Sequence, residues 1–261
     1  MSLPAAQGAF RIDEYIMRHI MDSDQWHLPF LPTVHLPGFL TIQKLVLLLG
    51  AGLVVWVFCF LYRKNDRVPT GLTNLFEIFI LHIRDDLSIE FLGEEDGRRL
   101  TPLFLTLFFF ILFLNILGLV PLFPTTATAN VSVTGALAFL ILIFMTLGGI
   151  AKHGFFNYMK IFVLPGVPAP LLILLTPLEM LSVLIKSFAL MIRLFANMFA
   201  GHIVILSILG LVVMMGVFVS LPAIIMALFV SLLEIFVAFL QAYIFTFLSA
   251  IFIGQIYRPQ H

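Results

Sequence analysis

Apolar residues in this chain come in long runs separated by short polar breaks, and the run lengths set the first expectations. A hydrocarbon core needs about 20 consecutive apolar residues for a perpendicular helix. Runs at 40–62, 101–121 and 131–151 each meet that length once. The first ends at Arg63, Lys64 and Arg67, the second at Pro121 and Pro124, and the third at Lys152 and His153. Between the first two, residues 63–100 mix apolar and charged side chains at helical spacing. Glu77, Arg84, Asp85 and Asp86 share this stretch with Phe76, Ile80, Ile83 and Leu87. That pattern predicts a helix lying along the membrane surface. Residues 152–170, with Lys152, Lys160 and the segment "LPGVPAP", read as a connecting loop.

Two further runs, 171–216 and 222–257, are too long for one perpendicular crossing. As helices they would extend roughly 69 Å and 54 Å at 1.5 Å per residue. Each is therefore either a hidden hairpin or a single steeply tilted helix. No proline or Asn-Gly signal interrupts 178–216 or 223–257, which favours tilted helices. The expected architecture is an all-α polytopic membrane protein. It has five membrane-spanning helices plus one interfacial helix, with the last two spans long and steeply tilted.

Charge sets the orientation. With five spans, the segments carrying Arg63/Lys64/Arg67, Arg98/Arg99, Lys152/Lys160 and Arg258 fall on one side. The uncharged loops 122–130 and 217–221 fall on the other. The positive-inside rule makes the basic side cytoplasmic, with residues 1–39 outside and the C-terminus inside. Asp13, Glu14, Asp22 and Asp24 interrupt any apolar core of a cleavable signal before Leu40.

Composition narrows the function classes. Of 261 residues, 61% are hydrophobic and 11% charged, 29 are Phe, and the net charge is zero. A soluble domain of this length could not cover that much apolar surface, so the lipid bilayer is the expected surrounding. Nothing points to nucleic acid as a partner. The one cysteine, Cys59, allows neither an internal disulfide nor a cysteine metal cluster. No phosphate loop, nucleophile elbow or metalloprotease helix occurs, so no catalytic residue, metal or cofactor is expected.

The informative residues are the polar ones inside the two long runs. Glu179, Lys186 and Arg193 are spaced by seven, so they drift only about 20° per step around the helix. Asn197, four beyond Arg193, shares their face. His202, nine beyond Arg193, lies about half a turn away. Arg193 sits roughly 33 Å from either end of its run, too deep to snorkel. A mid-membrane arginine costs on the order of 3 kcal/mol, keeps its charge, and needs protein or water with a carboxylate partner. For Glu179 and Lys186, snorkelling or mutual pairing stands beside a role in transport. Folding the two runs about residue 219 sets His202 and Glu234 within about 3 Å in depth, and Arg193 and Gln241 within about 6 Å. The first pair is either a proton relay or a hydrogen-bonded register lock. No carboxylate of this chain matches Arg193 in depth, so its partner is expected on another subunit.

The segments "LLILLTPLEMLSVLIKSFALMIRLFANMFAGHIVI" and "FLQAYIFTFLSAIF" resemble the a subunit of the F-type rotary ATP synthase, bacterial-like, from about residue 20 to the end. The resemblance is densest over 171–256, and "RLFANMFAGH" is its most specific part. It implies a long tilted helix hairpin, 171–257, against a ring of c subunits. It also implies b subunits of the peripheral stalk and other ATP synthase subunits as partners, in a bacterial inner membrane. It implies that Arg193 attracts the ring's deprotonated carboxylates and blocks direct leak between two offset half-channels. Asn197 and Gln241 would line that site, with His202 and Glu234 on the inlet path and Glu179 and Lys186 near the exit. Some bacterial relatives carry this Glu/His pair in exchanged order. Relatives often place an Asp two residues before an Asn in the external loop. Here Thr128 and Ala129 precede Asn130, so Asn130 would line the inlet without an acidic entry group. The coupling ion is H⁺ or Na⁺, since selection rests largely with the ring. An ion-coupled secondary transporter is the different-class alternative, but such folds usually show internal repeats and broken helices, and neither is found here.

Overall fold

The computed structural model describes residues 25–26, 34–35, 41–63, 72–120, 127–163 and 166–259. Most of the expected external segment 1–39 lies outside them, as do Lys64, Arg67, Pro121 and Pro124. Within that first segment, Gln25–Trp26 (β1) and Val34–His35 (β2) pair antiparallel, a two-residue ladder. All other regular structure among the described residues is helical. Five helices are long and apolar enough to cross a membrane, which makes the chain an all-α polytopic membrane protein.

The first span is α1 (Ile42–Arg63). The amphipathic segment forms α2 (Leu72–His82), which continues through a π-helical stretch (Ile83–Ile89) and a last α turn (Glu90–Leu92). Ile83, Leu87 and Leu92 are buried while Arg84, Asp85 and Asp86 are exposed, as the mixed pattern requires. Phe79 packs on Phe108 and Phe239 at ring-centroid distances of 5.8 and 5.5 Å, tying this segment to the second and fifth spans.

The second span is α3 (Glu94–Leu119), which starts seven residues before the expected 101. The sequence pattern assigns those charges to the surface segment 63–100. Instead Glu94, Glu95 and Asp96 occupy the first turn, where carboxylates complement the positive helix N-terminus. The third span is α4 (Val131–Ile143), continued by a π-helical stretch (Phe144–Gly148) and Gly149–His153. The expected loop 152–170 contains a further short helix, α5 (Phe155–Ile161).

The two long runs are unbroken helices, α6 (Ala169–Met215, 47 residues) and α7 (Val217–Tyr257, 41 residues). At 1.5 Å per residue they measure about 70 and 62 Å, roughly twice a hydrocarbon core, so straight helices of this length fit only at steep tilt. The expected turn at 217–221 is helical, and Pro222 lies inside α7. The chain reverses at Gly216 alone, with φ at 74°. Only glycine adopts that conformation without a Cβ clash, so one residue suffices.

Buried residues of α6 recur at Val183, Ser187, Leu190, Leu194 and Met198, one stripe at helical spacing. Its other apolar side chains face outward: Ile173 is 79% exposed, and on α7 Leu228 is 72% exposed. Patches of this size need lipid or a partner. At one end of the molecule Lys152 pairs with Asp96, and His153 Nε2 lies 3.1 Å from the carbonyl oxygen of Ile256. The basic segments around 98, 152 and 258 thus gather at one end.

Candidate functional site

The buried stripe of α6 separates its polar residues into two flanks. At 100° per residue, Glu179, Lys186, Arg193 and Asn197 lie on one side of the stripe and His202 on the other. The structure treats the flanks differently.

On the His202 flank the titratable groups meet each other within the chain. His202 Nε2 stands 3.1 Å from the carbonyl oxygen of Gly118 on α3. A carbonyl only accepts, so Nε2 carries the proton, and Nδ1 is the nitrogen that gains or loses one. Nδ1 lies 3.4 Å from Glu234 Oε1, on α7. Glu234 is only 5% exposed, and its carboxylate makes no hydrogen bond among the described residues. Gly201 makes this approach possible: a Cβ there would fall on the carboxylate, 2.8 Å from Cδ. The structure thus brings His202 and Glu234 together. It does so with the reversal at Gly216 rather than 219, which sets the two about 6 Å apart in nominal depth. The extended Glu side chain and the tilt of the helices close that gap.

The polar network continues toward the expected inlet through residues that sequence reasoning missed. Asn115 of α3 is fully buried. Its Nδ2 donates to the Ala238 carbonyl, one turn along α7 from Glu234, at 3.3 Å. Its Oδ1 accepts from the Thr128 hydroxyl at 2.9 Å. Asn130 caps α4 by accepting from the Ser132 amide at 2.8 Å, and its Nδ2 donates to Gln43 of α1. Asn130 therefore has a structural duty at the place where an inlet role was expected. The signal for Asn115 was present: it is the lone amide in the apolar run that follows Thr106.

On the Arg193 flank satisfaction is incomplete. Arg193 is exposed and takes no hydrogen bond or ion pair among the described residues. Gln241, expected beside it, is 5% exposed, and its Nε2 is buried without a partner among the described residues. No bond joins Arg193 to Gln241. Asn197 is half-buried and likewise carries no such bond. Glu179 and Lys186 do not pair with each other. Glu179 Oε2 accepts from the Ser182 hydroxyl at 3.2 Å, and Lys186 donates to Gln255 Oε1 of α7 at 2.8 Å. Chemically, one flank can pass a proton between two titratable groups, and the other presents a bare guanidinium one helical turn from the half-buried Asn197 amide.

Outside the spans, Asp85 lies 2.8 Å from the Arg84 guanidinium. That bond holds the Asp85 carboxyl below its ordinary range and lifts Arg84.

Residues 45–254 match the sequence profile of the family described as ATP synthase A chain. The chain is similar to an "ATP synthase subunit a" of Anaeromyxobacter dehalogenans (strain 2CP-C), 43% identical over 231 residues. That match covers 87% of this chain but only 58% of the relative, so the chain spans little more than half of that protein's length. It is also similar to "ATP synthase subunit a" of Myxococcus xanthus (strain DK1622), 40% identical over 93% of this chain and 87% of that relative. A third relative, from Chloroherpeton thalassium (strain ATCC 35110 / GB-78), is 39% identical over 93% and 75% of the two chains.

Proposed function

From the premise that the chain belongs to the ATP synthase A chain family, we propose that it is the stator channel subunit of an F-type ATP synthase. It carries protons to and from carboxylates on a rotating ring of c subunits, and it performs no covalent chemistry itself. Its other partners are the b subunits of the peripheral stalk and the remaining subunits of the complex. The membrane is a bacterial inner membrane, with the Lys152/Arg258 end in the cytoplasm.

The observation that carries this reading is the unpartnered Arg193 in the middle of a 47-residue apolar helix. A guanidinium keeps its charge in any environment and gains most from a carboxylate it can meet bidentately. Among the described residues none is bonded to it, so the carboxylate comes from a partner. Asn197, one turn along the same face of α6, adds an amide donor to the same carboxylate. When a ring carboxylate loses its proton beside Arg193, the positive charge stabilises the anion; when it gains one, it is neutral and can turn into lipid.

The His202–Glu234 pair supplies the proton from the other side. Nδ1 and Oε1 stand 3.4 Å apart, close enough for a proton to pass between them. Passing it inward and taking another from water near Asn115 and Thr128 gives an inlet. The inlet and Arg193 lie on different flanks of α6, so a proton cannot go straight through; it travels with the ring instead.

A cross-linking experiment tests which flank meets the ring. Ala189→Cys, at an exposed position one turn from Arg193 on the same flank, should form a disulfide with a cysteine placed next to the ring carboxylate. Failure of that bond, with efficient cross-linking instead from Phe195→Cys, which shares the His202 flank at similar depth, would reverse the assignment of the flanks.

A further inference from the structure

This inference rests on the proposed function and concerns the cytoplasmic end of the proton's route. A cavity of about 730 Å³ opens between α6, α7, the last turn of α2 and the end of α5. Its charged lining is Glu179 and Lys186 from α6, Glu90 from the α2 segment and Arg258 from the end of α7. From α5 the lining is Ile161, with Phe162 just beyond, and neither is charged.

Lys186 has an unusual tether. Its ammonium donates to the neutral amide of Gln255 at 2.8 Å and stands 5.7 Å from the Phe252 ring centroid. Glu179, the acid two turns away on the same helix face, is engaged by Ser182 instead. The cation is therefore held across the cavity, from α6 to α7, without being neutralised. A lysine kept only for pairing would take the carboxylate; an amide fixes the position of the charge and leaves its field intact. By helix rise, the Lys186 position on α6 lies about 10.5 Å from that of Arg193 and the same from that of Glu179.

We propose that Lys186, pinned by Gln255, is the positioning residue of the cytoplasmic half-channel: its fixed positive charge sets the field in the cavity and drives protons released near Arg193 out to bulk water. It touches no reacting atom. A cation at that distance stabilises the deprotonated form of every acid along the cavity.

The test is the pH profile of ATP synthesis by the assembled complex in membrane vesicles, varied on the cytoplasmic side. In Lys186→Gln the protonated state of the cavity is favoured, so release needs a more alkaline medium. The midpoint should move up by about half to one pH unit, the size expected for one charge at this separation and an effective dielectric near 20–40. Lys186→Arg should restore the wild-type midpoint. Gln255→Glu, which neutralises the lysine in place, should move it in the same direction as Lys186→Gln. Gln255→Leu keeps the charge but frees it, and should give a smaller shift of the same sign. A uniform loss of rate with an unmoved midpoint in both Lys186→Gln and Gln255→Glu would overturn the proposal and leave a structural tether. If Lys186→Gln fails to assemble, Gln255→Glu alone decides. The proposed function fails separately: it falls if Arg193→Ala still couples, whatever the Lys186 profiles show.

Discussion

The two flanks of α6 solve the problem of polarity in an apolar environment in opposite ways. On the His202 flank every polar group finds its neighbour inside the chain: Gly118 for Nε2, Glu234 for Nδ1, with Asn115 and Thr128 one layer further out. On the Arg193 flank the guanidinium stays exposed and the Gln241 amide keeps an unspent donor. Leaving a buried donor unmade costs about 1–3 kcal/mol, and a membrane arginine costs more. One flank brings its titratable groups together within the chain, and the other leaves a guanidinium for something else to complete. On the proposed function, the difference separates the proton transfer assigned to this chain alone from what it does only in an assembly.

The comparison can be broken by removing the satisfied flank. Glu234→Gln and His202→Ala should each lower ATP-driven proton pumping in inverted vesicles at least about tenfold, since each deletes one end of the transfer. Exchanging the two residues, with His at 234 and Glu at 202, should recover much of the loss because the shared proton returns. Unchanged flux in both single variants would remove the pair from the pathway.

A smaller effect sharpens the geometry. Gly201→Val would force a side chain into the Glu234 carboxylate. Overpacking of this kind costs about 1–3 kcal/mol. The variant should lose part of its thermal stability in detergent and pump several-fold more slowly, with Gly201→Ala in between. Wild-type behaviour of the valine variant would mean that the close approach of α6 and α7 is not required.

The smallest effect lies outside the membrane, where water screens what the interior does not. Asp85 and Arg84 are bonded but exposed. Because the folded state holds the Asp85 carboxyl low, the pair's contribution is present above the ordinary carboxylate range and lost as pH falls through the folded value. Asp85→Asn should therefore lower the thermal midpoint only slightly between about pH 6 and 8, because the pair is exposed, and even that difference should vanish below about pH 4. A large drop at neutral pH would show that this pair anchors the surface segment.

Much of the fold was legible in run lengths alone, because a bilayer demands them. The seven-residue spacing of Glu179, Lys186 and Arg193, and the half-turn offset of His202, divide these residues between two flanks once the run is a single helix. The turn between α6 and α7 was not legible. Gly216 is one glycine among several in apolar sequence, and Pro222 looked the stronger stop, yet a single positive φ was enough. The start of α3 was not legible because Glu94, Glu95 and Asp96 look like the end of the charged surface segment 63–100, whereas a helix N-terminus also attracts such charge. Spacing within one helix could not show that Lys186 would choose Gln255 on α7 over Glu179 on its own helix. Nor could it show that Gln241 would turn inward while Arg193 turned out. Those choices depend on how two tilted helices cross.

The central claim is that Arg193 is left unpaired so that a carboxylate from another subunit can complete it. Its most direct test is Arg193→Ala in the assembled complex, measuring ATP-driven proton pumping together with ATP hydrolysis. The account predicts that the complex assembles, that pumping falls to background, and that passive proton leak rises. Pumping at normal coupling in that variant would contradict it.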